Sequence, residues 1–209
     1  MTKIVLASSS PRRREILEHL NLSCEILVGP AIELPAEGTA PELLVCRNAS
    51  SKVEGVSPAV SAPHVLIISA DTVVVLDGLV MGKPETPFQA RQMLEKLSGR
   101  THEVFTGVSV RSGPSGPQET GYERTEVTFR DLSSEEIAGY VETGEPLDKA
   151  GAYGIQGIGA FLVRKISGCY YNVVGLPVVK LAELCAALGV DLFALAARQR
   201  KQGPCSFSS

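Results

Sequence analysis

Apolar residues recur along this chain in short runs whose spacing switches between the two periods of regular structure. Residues 3–7 form a compact apolar run, the pattern of a short buried strand. Ile16, Leu17 and Leu20 then fall at helical spacing behind Ser10-Pro11, which predicts a helix over residues 11–20. A second strand is expected at 24–28, a Pro- and Gly-rich loop at 29–41 and a helix at 41–53. The β-branched run from Val65 to Val75 predicts a central strand, followed by a helix at 88–97 that Ser98-Gly99-Arg100 stops. Strands at 102–110 and 119–129 flank the turn Ser112-Gly-Pro-Ser-Gly-Pro117, so they are expected to pair antiparallel. A helix from Ser133-Ser134-Glu135-Glu136 to Val141, a strand at 160–166 and a helix at 176–188 complete the pattern. This alternation of strands and helices indicates an α/β protein.

The 209 residues, 44% hydrophobic and 21% charged, suit one domain over residues 1–195, with a polar tail at 196–209 expected to be disordered. A net charge of -3 offers no general attraction for nucleic acid or an anionic membrane, so any polyanion has to be held by a local basic cluster. No apolar run approaches the ~18 residues of a membrane span, and the opening is too short for a signal segment, so a cytoplasmic protein is expected. Five cysteines without a C-x-x-C pair read as free thiols. Cys185, in an apolar helical stretch, reads as a buried inert one.

The densest basic cluster is Arg12-Arg13-Arg14, in the first turn of the predicted helix. There the positive end of the helix dipole disfavours each cation by roughly 0.3–1 kcal/mol. An anion would reverse that sign, and Ser8, Ser9, Ser10, the free N–H groups and the guanidiniums would together cradle a phosphate. Successive helical side chains diverge by about 100°, so Arg12 and Arg13 are expected to face the ligand and Arg14 the solvent. The competing reading is a surface helix with solvated charge. No Walker A loop is present, and the glycines of residues 151–159 do not open a helix after a strand.

Asp71 interrupts the apolar run of residues 65–75, where a buried carboxylate needs a metal or base as partner. The alternative is that the strand ends at Ala70 and Asp71-Thr72 cap a turn. Lys83, Lys52 and Glu33 carry no signal individually. Small residues in Asp148-Lys149-Ala-Gly-Ala-Tyr-Gly-Ile-Gln156-Gly would let a ligand approach the backbone, and the Gln156 amide suits a pyrimidine edge. A plain connector with an exposed glutamine is the other reading.

Six ordered segments carry a resemblance: Leu6-Ala-Ser-Ser-Ser-Pro-Arg-Arg13, Ser69-Ala-Asp-Thr-Val-Val74, Gly82-Lys-Pro84, Leu97 to Gly107, Gly144 to Gly157 and Asn172-Val-Val-Gly-Leu-Pro177. Over residues 3–190 the chain resembles the Maf family of nucleotide pyrophosphatases, and residues 148–157 look like its branch acting on dTTP and UTP. The resemblance implies a mixed twisted sheet flanked by helices, two lobes with a substrate cleft between them, as in the Maf/ITPase-like fold, and a homodimer. By motif, Asp71 matches the catalytic acid, Ser8, Arg12 and Arg13 the phosphate-binding turn, and Glu33, Lys52 and Lys83 further cleft residues. Arg12, Thr72 and Gln156 match positions linked to base selection, and Lys149 lies in the same motif.

The implied reaction is hydrolysis of the triphosphate to monophosphate and pyrophosphate, with Asp71 and Glu33 holding Mg2+ or Mn2+ and Asp71 acting as general base. Ala31-Ile32-Glu33 has one acid where many relatives have two, and Cys169-Tyr170-Tyr171 replaces a usual Ser-Tyr-Ser. The rival expectations are the same chemistry on a modified purine triphosphate, such as a methylated GTP, and a nucleotide-binding regulator without turnover.

Overall fold

The computed structural model describes residues 2–62 and 64–202. Its strands are β1 (Lys3–Leu6), β2 (Cys24–Ile26), β3 (Val65–Leu76), β4 (Leu79–Met81), β5 (Thr101–Ser112), β6 (Gln118–Phe129) and β7 (Val163–Ser167). They form one mixed seven-stranded sheet of order β2-β1-β3-β5-β6-β7, with β4 on β3. The helices α1 (Pro11–His19) and α2 (Pro41–Val56) lead from β1 to β2 and from β2 to β3, and this part of the sheet is parallel. From β3 onward every pairing is antiparallel.

The long strand β3 organises the molecule. Along one edge it pairs with β5 from Leu66 to Val75. On the opposite edge β1 pairs with residues 65–68 and β4 with residues 74–76, so residues 69–73 have no strand partner there. A sheet split in this way opens a crevice at the carboxyl end of β1, where α/β proteins tend to bind ligands.

Alternation along β3 then separates two faces. Leu66, Ile68 and Ala70 pack with α1, α6 (Val178–Ala187) and α7 (Leu192–Gln202), whereas Val74 and Leu76 pack with α3 (Pro87–Leu97) and α4 (Ser134–Glu142). On the other face, Val65 and Ile67 meet Val53 and Val56 of α2, and Val73 and Val75 meet Leu44 and Val45 of the same helix. Each such buried aliphatic side chain contributes about 1.5–3 kcal/mol. The apolar clusters leave polar residues between them: Ser69 and Asp71 on the α2 face, Thr72 on the other.

The second half of the sheet closes over an aromatic cluster of His102, Phe129 and Tyr153, mutually edge-on at 4.7–5.3 Å. His102 Nε2 bonds the Tyr153 hydroxyl at 2.8 Å, and its Nδ1 is buried without a partner. Burial lowers the His102 pKa from 6.5 to about 4 and pushes the Tyr153 phenol up. The folded protein therefore binds fewer protons here than the unfolded chain, so stability falls as pH drops from 6.5 towards 4. Between pH 7 and pH 4.5 this group should remove about 2 kcal/mol of unfolding free energy. Urea unfolding at the two pH values checks it: His102→Gln should lose less stability than wild type, and equal losses would contradict the assignment.

Differences from the expected elements have local causes. The strand expected at 160–166 begins only at Val163; residues 157–162 form a 3-10 helix, because the amides of Ile158 and Gly159 bond the Glu145 carboxylate instead of a neighbouring strand. Strand β3 continues through Asp71 and Thr72, so no turn is capped there. Helix α5 (Tyr170–Val174) arises in a segment of aromatic and β-branched residues that favours strand; Asn172, bonded to Val104 O and Thr125 Oγ1 at 2.9 Å each, holds it. The expected tail is helical as far as Gln202: α7 starts behind Asp191, whose Oδ1 accepts the Ala194 N–H at 2.8 Å. Residues 203–209 lie outside the described residues. Cys185 is fully buried, and burial pushes its thiol up to about 12. Among the described residues no helix is long and apolar enough to cross a membrane.

Candidate active site

The crevice beside β3 is a cleft of about 830 Å³, within the range of small-molecule sites. Its walls include Ser8, Arg12, Arg13, Glu33, Lys52, Asp71, Thr72, Lys83, Lys149 and Gln156. Every one of these candidate site residues therefore lies on one surface, although the positions span residues 8–156.

The turn after β1 presents the basic cluster. Pro11 occupies the first position of α1, and the Ser10 side chain makes no cap bond, so the first-turn N–H groups lack a side-chain acceptor. The three arginines diverge as helix geometry requires. Arg14 is paired with Glu18 at 2.6 Å on the surface. Arg13 turns inward, donating to Gly175 O at 2.8 Å, Ser8 Oγ at 3.0 Å and Thr72 Oγ1 at 3.1 Å. Burial lowers its guanidinium to about 10; Asp71 opposes that shift and Arg12 adds to it. Arg12 spans the mouth of the cleft to Asp148 Oδ2 at 3.1 Å. Burial alone would raise the Asp148 carboxyl, but Lys149 and Arg12 outweigh it and hold it below the usual carboxylate range.

The acidic side of the cleft is built on α2. Asn48 and Lys52 are four residues apart on the helix face that crosses β3 at the gap between apolar clusters. Lys52 Nζ bridges Asp71 Oδ1 and Glu33 Oε1, the latter at 3.2 Å. Asn48 donates to Asp71 Oδ2 at 3.0 Å and accepts the Leu34 N–H at 2.9 Å. Ser51 accepts the Ile32 N–H at 2.8 Å, so the loop carrying Glu33 is tied to α2 at two points. Close backbone crossing makes this possible: a Cβ on Gly55 would lie 1.7 Å from Pro30 O. Asn48 is the member of the site that the sequence reading missed, though an amide between Leu44 and Ala49, one turn before Lys52, was a visible signal.

The remaining predicted residues frame the other wall. Lys83 is exposed and has no ion-pair partner among the described residues. Thr72 Oγ1, besides receiving Arg13, lies 3.0 Å from Thr106 Oγ1. Lys149 directs its ammonium to Glu145 O at 2.5 Å and Asp148 Oδ1 at 2.7 Å. Gln156 is exposed on the glycine-rich segment and lines the cleft, and among the described residues its amide has no hydrogen-bond partner.

Among the described residues no group of three or more His, Cys, Asp or Glu side chains could hold a metal ion unaided. Two carboxylates do converge, with a cationic ammonium between them. That donor set fits Mg2+ or Mn2+ shared with substrate phosphates, the usual arrangement for small hard cations, and does not fit an all-protein cage.

A family model described as Maf-like protein matches residues 3–188. A protein of Moorella thermoacetica named dTTP/UTP pyrophosphatase is 50% identical over 193 residues, 92% of this chain and 98% of that one. A protein of Dictyoglomus thermophilum with the same name is 48% identical over 192 residues, 91% of this chain and 98% of that one. Among solved structures, the Ham1 protein of Staphylococcus aureus matches with a TM-score of 0.48 and 14% identity, covering 97% of this chain and all of that one. With the family model covering the whole described sheet and its helices as far as α6, this chain belongs to the Maf-like protein family.

Proposed function

We propose that this protein hydrolyses dTTP and UTP to the nucleoside monophosphate and pyrophosphate. The observation that carries this reading is the convergence, in one cleft, of the arginine-bearing first turn of α1, two lysines and the Asp71 carboxylate. The names of the Moorella and Dictyoglomus relatives support the substrate class.

In this reading Arg12 and the N–H groups of the α1 turn receive phosphate oxygens, while Arg13, held by its three bonds, supplies fixed positive charge behind them. Lys83 and Lys52 complete the charge around the triphosphate. Asp71 lines the cleft with one carboxylate oxygen engaged by Lys52 and the other by Asn48, each oxygen retaining further acceptor capacity. It takes the proton of a water that attacks the α-phosphorus; the bond from that phosphorus to its bridging oxygen breaks, and pyrophosphate leaves against the lysines. Glu33 and Asp71 would hold Mg2+ or Mn2+, which supplies Lewis-acid neutralisation of the phosphates when bound. The Gln156 amide meets the pyrimidine edge, so a wrong base leaves polar groups unpaired. The homodimer that the family resemblance implies belongs to the same reading.

The test is pyrophosphate release from a panel of canonical and modified nucleoside triphosphates with Mg2+ or Mn2+. The highest kcat/KM is expected for dTTP and UTP. Equal values for UTP and GTP would overturn the base assignment, and a methylated purine as best substrate would transfer the same chemistry to another nucleotide.

A further inference from the structure

The segment that carries Gln156 is short, glycine-rich and exposed at its apex, which by itself would leave the amide free to wander. It is fastened at both ends to a single carboxylate–phenol pair. Glu145 Oε2 accepts the Ile158 N–H at 3.1 Å, and Glu145 Oε1 accepts the Gly159 N–H at 3.2 Å and the Tyr140 hydroxyl at 3.0 Å. The Tyr140 oxygen in turn accepts the Gly154 N–H at 3.2 Å. Tyr140 is almost fully buried among Ile137, Phe129 and Leu162, so the anchor itself is immobile. Its phenol is pushed above the ordinary range, first by burial and then by Glu145, and stays a donor at neutral pH. The fit leaves no slack: a Cβ on Gly159 would lie 2.1 Å from Gly154 O and 2.6 Å from the Tyr140 oxygen.

We propose that Glu145 and Tyr140 are positioning residues for base selection: they clamp residues 154–159 so that Gln156 presents its amide in one fixed orientation. The inference rests on the reading of Gln156 as the group that meets the base. Glu145 reaches the arginine turn only through its backbone oxygen, which accepts Lys149, whose ammonium also meets Asp148, the partner of Arg12; a side-chain substitution leaves that backbone oxygen in place. Removing the clamp therefore frees Gln156 without moving the arginines or Asp71. Discrimination by hydrogen bonding depends on such fixed geometry, because a mobile amide can satisfy itself with water and then rejects nothing.

Glu145→Gln sets a side-chain N–H2 against backbone donors, and Tyr140→Phe deletes the hydroxyl while keeping the ring in the core. Both variants should lower the ratio of kcat/KM for dTTP over GTP by roughly tenfold, through KM for dTTP, with kcat for dTTP within about threefold of wild type. Amide hydrogen exchange at Gly154, Ile158 and Gly159 should accelerate in both and stay unchanged in Gln156→Ala, which is measured in parallel. Folded Glu145→Gln and Tyr140→Phe proteins that keep the full preference, while Gln156→Ala loses it, would overturn the clamp alone. A parallel fall for every substrate would also overturn it, as a merely structural effect. Gln156→Ala with undiminished preference would instead remove the base-reading role on which the clamp depends.

Discussion

Asp71→Asn is expected to lower kcat for dTTP by roughly 10²–10⁴-fold while KM changes little and the protein stays folded. The carboxylate sits on β3 where the sheet edge is unpaired, between the ammonium of Lys52 and the amide of Asn48. An asparagine fills the same volume and keeps an acceptor for one of those donors, so packing is preserved. It cannot accept a proton from water and carries no charge for a divalent cation. Pyrophosphate release under saturating dTTP, with circular dichroism on the same sample, reads both properties. Turnover near the wild-type level in a folded variant would remove Asp71 from the chemistry and leave the cleft as a nucleotide-binding site.

The second large effect is expected at Arg13, where stability and activity fall together. Its guanidinium joins three elements: the turn after β1 through Ser8, strand β3 through Thr72 and the end of α5 through Gly175. Arg13→Ala removes three hydrogen bonds and the packed stem, leaving Ser8 and Thr72 with only their other partners, at a cost of about 3 kcal/mol. For a chain of this size that corresponds to a melting temperature lower by roughly 10 °C. Loss of fixed positive charge behind the phosphates should also reduce kcat/KM by about 10²-fold. Arg13→Lys separates the two roles, since an ammonium keeps the charge but not the three-way fork. It should recover part of the activity and little of the melting temperature; thermal denaturation and pyrophosphate release on both variants check this, and unchanged melting would refute the structural role.

Which parts of this protein were legible in the sequence follows from how local their causes are. The apolar run at residues 65–75, the Pro11 helix start and the helix start at Ser133 are decided by neighbours within a few positions, and the structure has them within one residue of expectation. The divergence of Arg12, Arg13 and Arg14 followed from the turn angle of a helix alone. Asp71 was conspicuous because a charge inside an apolar strand requires a partner. Contacts far apart in sequence were not legible. Asn48 joins Asp71 to the Glu33 loop only because α2 crosses β3 at the gap between two apolar clusters. The helix at Tyr170–Val174 overrides its own strand preference through bonds from Asn172 to Val104 and Thr125, 68 and 47 residues away. The split edge of β3 is of the same kind: β1 and β4 are each ordinary short strands, and only their registers on β3 leave residues 69–73 unpaired. The sequence by itself thus determined most of the elements and the chemically charged positions, because spacing and composition act locally, and its six motifs carried the family resemblance. The tertiary structure decided which of those positions share a cleft and what holds each in place, because that depends on register and crossing points between segments tens of residues apart.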